Sequence, residues 1–600
     1  MTAQPHLKVL TKFFLVSALA TSFLSPAAQA QLDSALVPKF VEPLDRVCGL
    51  DPYTFNGTPC LKMPATSTAG GKDVYDVAAR EKYQQILPGN FPKTKVWAFG
   101  PAASPASSTN FHYPGSTIVA TENRPVQVKW INDLRDPATG NFIPSFLPID
   151  QANHWANPPS TCEKQDHQPL ATGPDCFGQG PNYTGPVPIV VHLHGSHTTS
   201  ESDGIPEAWW LPAASNIPSG YAKHGSDFCQ VNSAGTRSCT YNNDGTAMFQ
   251  YRNDQFPATL FYHDHTLGIT EQNVYAWLVG YYLISDHGTG AHDVNSLPSG
   301  PYEIPLVIHD KSFNPDGSLL FTTSGNMMVV NGKTWPFLEV EPRRYRFRIV
   351  DGADESFYSL SFEDSGQSPP ITQIGGDAGF LPAPVRLNQI DITPGERVDV
   401  IIDFTGLQGS TIVLGNNESG DLGKVLQFRV DLPLQGTDTT VIPSTFPSRA
   451  PLGTATVTRK VALFDSGLGI VTTAGKAVQI PWDAPVTETP GLNNTETWWI
   501  YNVSGDAHPI HLHEVGFEVL ERVNLKTGKT SGPKPGETGF KDTVLVQGNT
   551  ITKIKAKFDI PGLFAWHCHI IEHEDNQMMR PMCILDPNDP TGSTKCVNNP

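Results

Sequence analysis

The stretch His567-Cys568-His569-Ile570-Ile571-Glu572-His573-Glu574-Asp575-Asn576-Gln577-Met578-Met579 decides how the rest of the chain is read. One sulfur is flanked by two imidazoles, with a third imidazole five residues on and a thioether five beyond that. A Cys thiolate, two His and a weak, distant Met are the ligand types of a blue-copper centre. Cys568, His573 and Met578 supply three of the four, so one upstream His must supply the last. His567 and His569 need another role. On a strand, residues i and i+2 share a face and the residue between them points the other way. With Ala565 to His569 extended, Cys568 faces one metal while His567 and His569 face others behind it. One stretch of backbone then joins two metal sites, an arrangement suited to electron transfer.

Three more clusters lie upstream. Ile189-Val190-Val191-His192-Leu193-His194-Gly195 is β-branched, with its two His at i and i+2, roughly 6.6–7 Å apart on one strand face. Leu260-Phe261-Tyr262-His263-Asp264-His265 repeats the spacing, and His508-Pro509-Ile510-His511-Leu512-His513-Glu514 carries it again. Either of the first two pairs alone reads more readily as hydrogen-bonded surface histidines than as a metal site. Together the clusters hold ten of the nineteen histidines, and that concentration points to metal. They also form an internal repeat: an HLH strand precedes an HxH strand at 192 and 263, and again at 511 and 567. Duplicated β-domains with ligands on equivalent strands would build one cluster between them.

The 600 residues suggest about three to four domains. Gly 52 and Pro 53, with 39 % hydrophobic content, fit many short strands joined by turns better than long helices. Lys8 and Lys12, an apolar run from Phe13 to Leu24 and Ala28-Gln29-Ala30 read as a secretory signal over 1–30. The expected location is therefore secreted or periplasmic. Removing the signal deepens the formal charge of −18, which argues against nucleic acid or an anionic membrane as partner. No later stretch is long and apolar enough for a span.

Residues 31–287 read as the first domain, with 133–186 as a long surface insertion. A Gly/Pro/Ser linker at 288–302 opens the second domain, 288–432. Beyond that linker it contains only His309 among histidines and no cysteine, so it reads as a structural spacer. A Thr/Ser/Pro-rich linker, 433–451, leads to the third domain, 452–600. Of nine cysteines, eight remain if Cys568 binds copper, an even number suited to an oxidising compartment. Cys229 and Cys239 flank a turn and can close a local loop, as can Cys162 and Cys176.

The four histidine motifs in this order resemble the multicopper oxidases, most closely the bacterial spore-coat laccase and bilirubin-oxidase-like branch. The likeness extends through Ser202-Asp203-Gly204-Ile205-Pro206-Glu207-Ala208-Trp209, Asn273-Val274-Tyr275-Ala276, Val330-Asn331-Gly332-Lys333-Thr334-Trp335-Pro336 and Lys541-Asp542-Thr543. It implies an all-β chain of three cupredoxin-like Greek-key β-barrels and four coppers. By the resemblance, His508, Cys568, His573 and Met578 form the type 1 site. His192 and His511 bind the type 2 copper, and His194, His263, His265, His513, His567 and His569 bind the type 3 pair. Asp203 and Glu574 match family carboxylates assigned to proton delivery. Molecular oxygen would be reduced to two waters with electrons from a small aromatic donor, expected to dock at an exposed edge of His508. Asp264, between two of these histidines, reads as a structural hydrogen-bond acceptor, and His197 and His309 as ordinary polar residues.

Other classes explain less. A small electron carrier needs only the type 1 set and leaves eight histidines unused. A zinc hydrolase has no use for Cys568 with a Met at this spacing. A copper-storage or resistance protein would show Met-rich or His-rich tracts, and this chain has only eight Met. A laccase-like oxidation of phenols or aromatic amines by a monomer is the expected activity. Bilirubin or o-aminophenol oxidation, or oxidation of metal ions, are the alternatives.

Overall fold

The computed structural model describes the chain except residues 1–30, 56–57, 150, 152–153, 160–182, 364–367 and 589–600. Strands dominate it. The α-helices among the described residues are short: Ser200–Asp203, Thr270–Tyr275 and Ile571–Asp575. Three successive stretches of chain each contribute two principal sheets. In the first, Thr246–Tyr251, Val126–Asn132, Asp73–Gln84 and Thr94–Pro101 form one sheet. Gly115–Thr121, Val279–Ser285, Thr259–Asp264 and Val191–His194 form the other. The middle stretch supplies sheets of eight and five strands. The last supplies a seven-stranded sheet and a second one ordered Thr543–Val546, His508–Leu512, Gly562–Cys568, Met579–Ile584.

One pairing recurs in all three stretches. Asp73–Gln84 runs parallel to Val126–Asn132, Glu303–Phe313 to Arg344–Asp351, and Val457–Phe464 to Thr495–Asn502. Parallel neighbours cannot be joined by a tight hairpin, so the repeat is one of topology. The chain is all-β, with three cupredoxin-like domains.

Side-chain alternation places the cores. Along Thr495–Asn502, Glu496, Trp498, Ile500 and Asn502 are buried while the residues between them are half-buried, the period of a pleated strand. One apolar core runs through the first and middle stretches, and a separate one fills the last. Each fully buried Val, Leu, Ile or Phe contributes about 1.5–3 kcal/mol. Cys568 and Met578 belong to the last core, with Trp498, Phe564 and Trp566.

The segment 133–186 is not simply a surface insertion. Leu147, Ile149, Trp155 and Tyr183 are buried in the first core. These apolar side chains dock a Pro-rich segment onto the barrel. Cys229 and Cys239 are disulfide-bonded, as are Cys48 and Cys60. The expected signal at 1–30 and the Cys162/Cys176 loop lie outside the described residues. No described helix is long and apolar enough to cross a membrane.

Candidate metal centre

Strand register brings the four histidine motifs together. Val191–His194 runs antiparallel to Thr259–Asp264 with His192 opposite His263. His508–Leu512 runs antiparallel to Gly562–Cys568 with His511 opposite His567. The same ladder thus occurs twice, and the two ladders meet face to face. The rings of His192 and His513 stack at 3.9 Å and those of His194 and His511 at 3.7 Å. Nε2 of His567 lies 3.2 Å from Nε2 of both His265 and His513. His569 closes the group, its ring 4.9 Å from His194 and 5.5 Å from His263.

Backbone acceptors turn several of these rings the same way. Nδ1 of His192 donates to the Asp203 carbonyl (2.5 Å), that of His263 to Asp264 (2.7 Å), and that of His511 to Asp542 (2.9 Å). Their Nε2 atoms are left buried and unpartnered. His194 is reversed: its Nε2 contacts Asp542 Oδ1 and Thr543 Oγ1, both at 3.1 Å, and Nδ1 is the unpartnered atom. Burial first, then neighbouring imidazoles, holds His192, His194, His265, His511, His513 and His569 well below the ordinary histidine value. Burial holds His263 at about 4. Buried, neutral imidazoles with free nitrogens directed at one another are what metal binding requires.

Two carboxylates touch this cluster. Asp203 Oδ2 accepts from His513 Nδ1 at 2.7 Å, and burial raises its carboxyl to about 6. Glu574 Oε2 lies 3.0 Å from His567 Nδ1, and Oε1 lies 3.5 Å from His265 Nδ1. Asp264 accepts from Val190 N, Thr266 N and Asn273 Nδ2 and holds the local backbone in place. A cleft lined by His192, His197, Arg449, His511, His513 and Asp559 borders the cluster.

The thiolate set lies one residue away along the same strand. Cys568 Sγ is 3.7 Å from His508 Nδ1 and 3.9 Å from His573 Nδ1, and those two nitrogens are 3.3 Å apart. Burial pushes the Cys568 thiol well up, so the thiolate needs a cation beside it. Met578 is fully buried, and its backbone carbonyl accepts from Cys568 N at 2.9 Å. One expectation is corrected here. His508 presents no edge to solvent, because it is fully buried and Ser504 Oγ lies 3.1 Å from its Nε2. His573 is the exposed imidazole of the set, with 22 % of its side chain accessible.

The middle stretch is more than a spacer. Arg397 grips Asp542 with both NH groups, one at 2.7 Å, and so holds the carboxylate that turns His194. Arg397 Nε is itself bonded to the Thr259 carbonyl at 3.0 Å. Gly395 packs against His569 so closely that a Cβ there would sit 2.7 Å from the ring. Asp542 lies in a motif quoted above, but no sequence motif marks Ser504, Gly395 or Arg397. Their roles arise only where separate strands meet.

Known proteins bear on this geometry. The family model described as "Multicopper oxidase" matches residues 462–588. The laccase of Bacillus subtilis (strain 168) is 35 % identical over 563 residues, covering 86 % of this chain and 95 % of the relative. The laccase of Haloferax volcanii is 33 % identical over 583 residues, covering 92 % and 86 %. A crystal structure of a laccase from Pediococcus acidilactici superposes with a TM-score of 0.63 at 21 % identity, covering 91 % of this chain and 98 % of that one. The chain belongs to the multicopper oxidases and is a copper-dependent oxidoreductase.

Proposed function

We propose that the protein is a laccase-like oxidase binding four coppers. In this reading His508, Cys568, His573 and Met578 hold the type 1 ion and His192 and His511 the type 2 ion. His194, His263, His265, His513, His567 and His569 hold the type 3 pair. Bound copper supplies one-electron oxidation at the thiolate set and four-electron reduction of O₂ to two waters at the imidazole cluster. Single electrons enter from phenols or aromatic amines at His573, the exposed ring. Cys568 passes them along its own backbone to His567 and His569, and this adjacency on one strand is the observation that carries the reading. Asp203 and Glu574 hold protons for the reduction beside His513 and His567. Residues 31–287, 288–432 and 452–600 act as three domains joined by 433–451, in a monomer exported to the periplasm or beyond.

Cys568→Ser tests this directly, because an alcohol cannot replace the soft thiolate. The blue band and donor oxidation should vanish while about three coppers per chain remain by metal analysis. Retained turnover of phenolic donors would remove Cys568 from the electron path.

A further inference from the structure

His573 offers solvent one particular edge. Its Nδ1 faces Cys568 and His508, so Nε2 is the atom directed outward. That atom lies 3.6 Å from Glu572 Oε2, and the two side chains are 22 % and 35 % exposed. Asn576 Nδ2 donates to the other Glu572 oxygen at 2.6 Å and holds the carboxylate in place. A molecule that touches the outer edge of His573 therefore meets a fixed carboxylate as well.

More acids lie behind it. Ile571 N, at the start of the same helix, donates to the Asp354 carbonyl at 2.9 Å, which seats Asp354 and Glu355 against it. Glu271 N donates to Asp575 Oδ2 at 2.9 Å. Glu271, Asp354 and Asp575 are at least nine-tenths buried, and each keeps an unpartnered oxygen. Lys311 Nζ, 3.3 Å from Asp354, is a counter-charge on the inner, fully buried side. The whole chain adds a field of the same sign, with a formal charge of −18.

We propose that Glu572 makes the electron-entry mouth at His573 selective for cationic aromatic donors, phenols that carry an ammonium side chain above all, over anionic ones. This rests on the oxidase reading above and narrows its substrate class. The donor loses one electron towards His573 and, where it is a phenol, its hydroxyl proton to solvent, so a cationic side chain keeps its charge throughout. The carboxylate attracts that cationic group and so favours the encounter that precedes transfer. Pigments bearing carboxylates meet like charge at the same place.

The test uses copper-loaded enzyme and two 2-methoxyphenols that differ only in an ethyl side chain ending in trimethylammonium or in sulfonate. Wild type should show the higher kcat/KM with the ammonium probe, and the preference should shrink as salt is raised. Glu572→Gln should lower the ammonium-to-sulfonate ratio by about fivefold, the scale of an exposed ion pair, and Glu572→Asp should restore most of it. A wild type that favours the sulfonate, or a ratio unmoved in Glu572→Gln with both probes still oxidised, overturns the proposal alone. A loaded wild type that oxidises neither probe fails the oxidase reading, and this proposal with it.

Discussion

Met578 and Met579 are neighbours that serve different places. Met578 packs in the core that holds Cys568, whereas Met579 packs with Leu267, Trp482 and Ala565. Strand alternation separates them. An axial thioether stabilises the oxidised copper more than the reduced one, so Met578→Leu should raise the type 1 potential. Leu and Met are close in volume, and the packing cost should stay below about 1.5 kcal/mol. Met579→Leu should leave the potential nearly unchanged. Redox titration of the blue band in both variants decides, and a shift confined to Met579→Leu would sink the axial assignment. His508 and His573 make the same point about environment. Spacing marks His573 as a ligand and the family resemblance marks His508, yet Ser504 covers His508 and solvent reaches His573.

Among the elements, the turn that leads into the middle-stretch strand Arg397–Asp403 bears most directly on the imidazole cluster. Gly395 has φ of +81° there, and a Cβ would press on the His569 ring. Gly395→Ala should cost about 1–2 kcal/mol for the left-handed backbone alone and displace His569 as well. The expected result is lower copper content in the cluster, read by metal analysis, with the blue band largely kept. Arg397→Met should be harsher, because it leaves Asp542 buried without its cation. Removing one partner of a buried pair costs about 3–5 kcal/mol, measurable by denaturant unfolding of the loaded protein. An Arg397→Met variant as stable as wild type would show that Asp542 does not depend on Arg397.

Across the whole molecule, His197 ties the first stretch to the last. Its Nδ1 is 2.8 Å from Asp254, and its Nε2 is 3.0 Å from Asp559 and 3.8 Å from Glu514. Burial alone would lower its pKa, but the bonds to Asp254 and Asp559 outweigh burial and raise it to about 9. A histidine reading as an ordinary polar residue is thus a charged bridge at the wall of the cleft. Its folded value lies above the unfolded value of about 6.5. The stability it contributes is therefore fully present below pH 6.5 or so and is lost as pH rises through about 9. Thermal unfolding of the loaded protein should show wild type losing more stability than His197→Gln across that window. Parallel pH profiles for the two proteins would exclude the bridge.

The strand identity of the histidine motifs, the doubling of the HLH and HxH pairs, and the opposed facing of Cys568 and its flanking histidines are all readable from the order of residues. Each is a local property, because period-two alternation assigns faces without knowing the neighbours. The assignment of individual histidines to individual coppers rests on the family resemblance, which those same short motifs carry. Which imidazole of the thiolate set meets solvent, which nitrogen of His194 is left free, and the bracing of the cluster by the middle stretch emerge from the folded chain alone. Those outcomes depend on Ser504, Asp542, Gly395 and Arg397, which reach their partners from other strands. Burial and hydrogen-bond pairing across such distances in sequence leave no period or spacing to read.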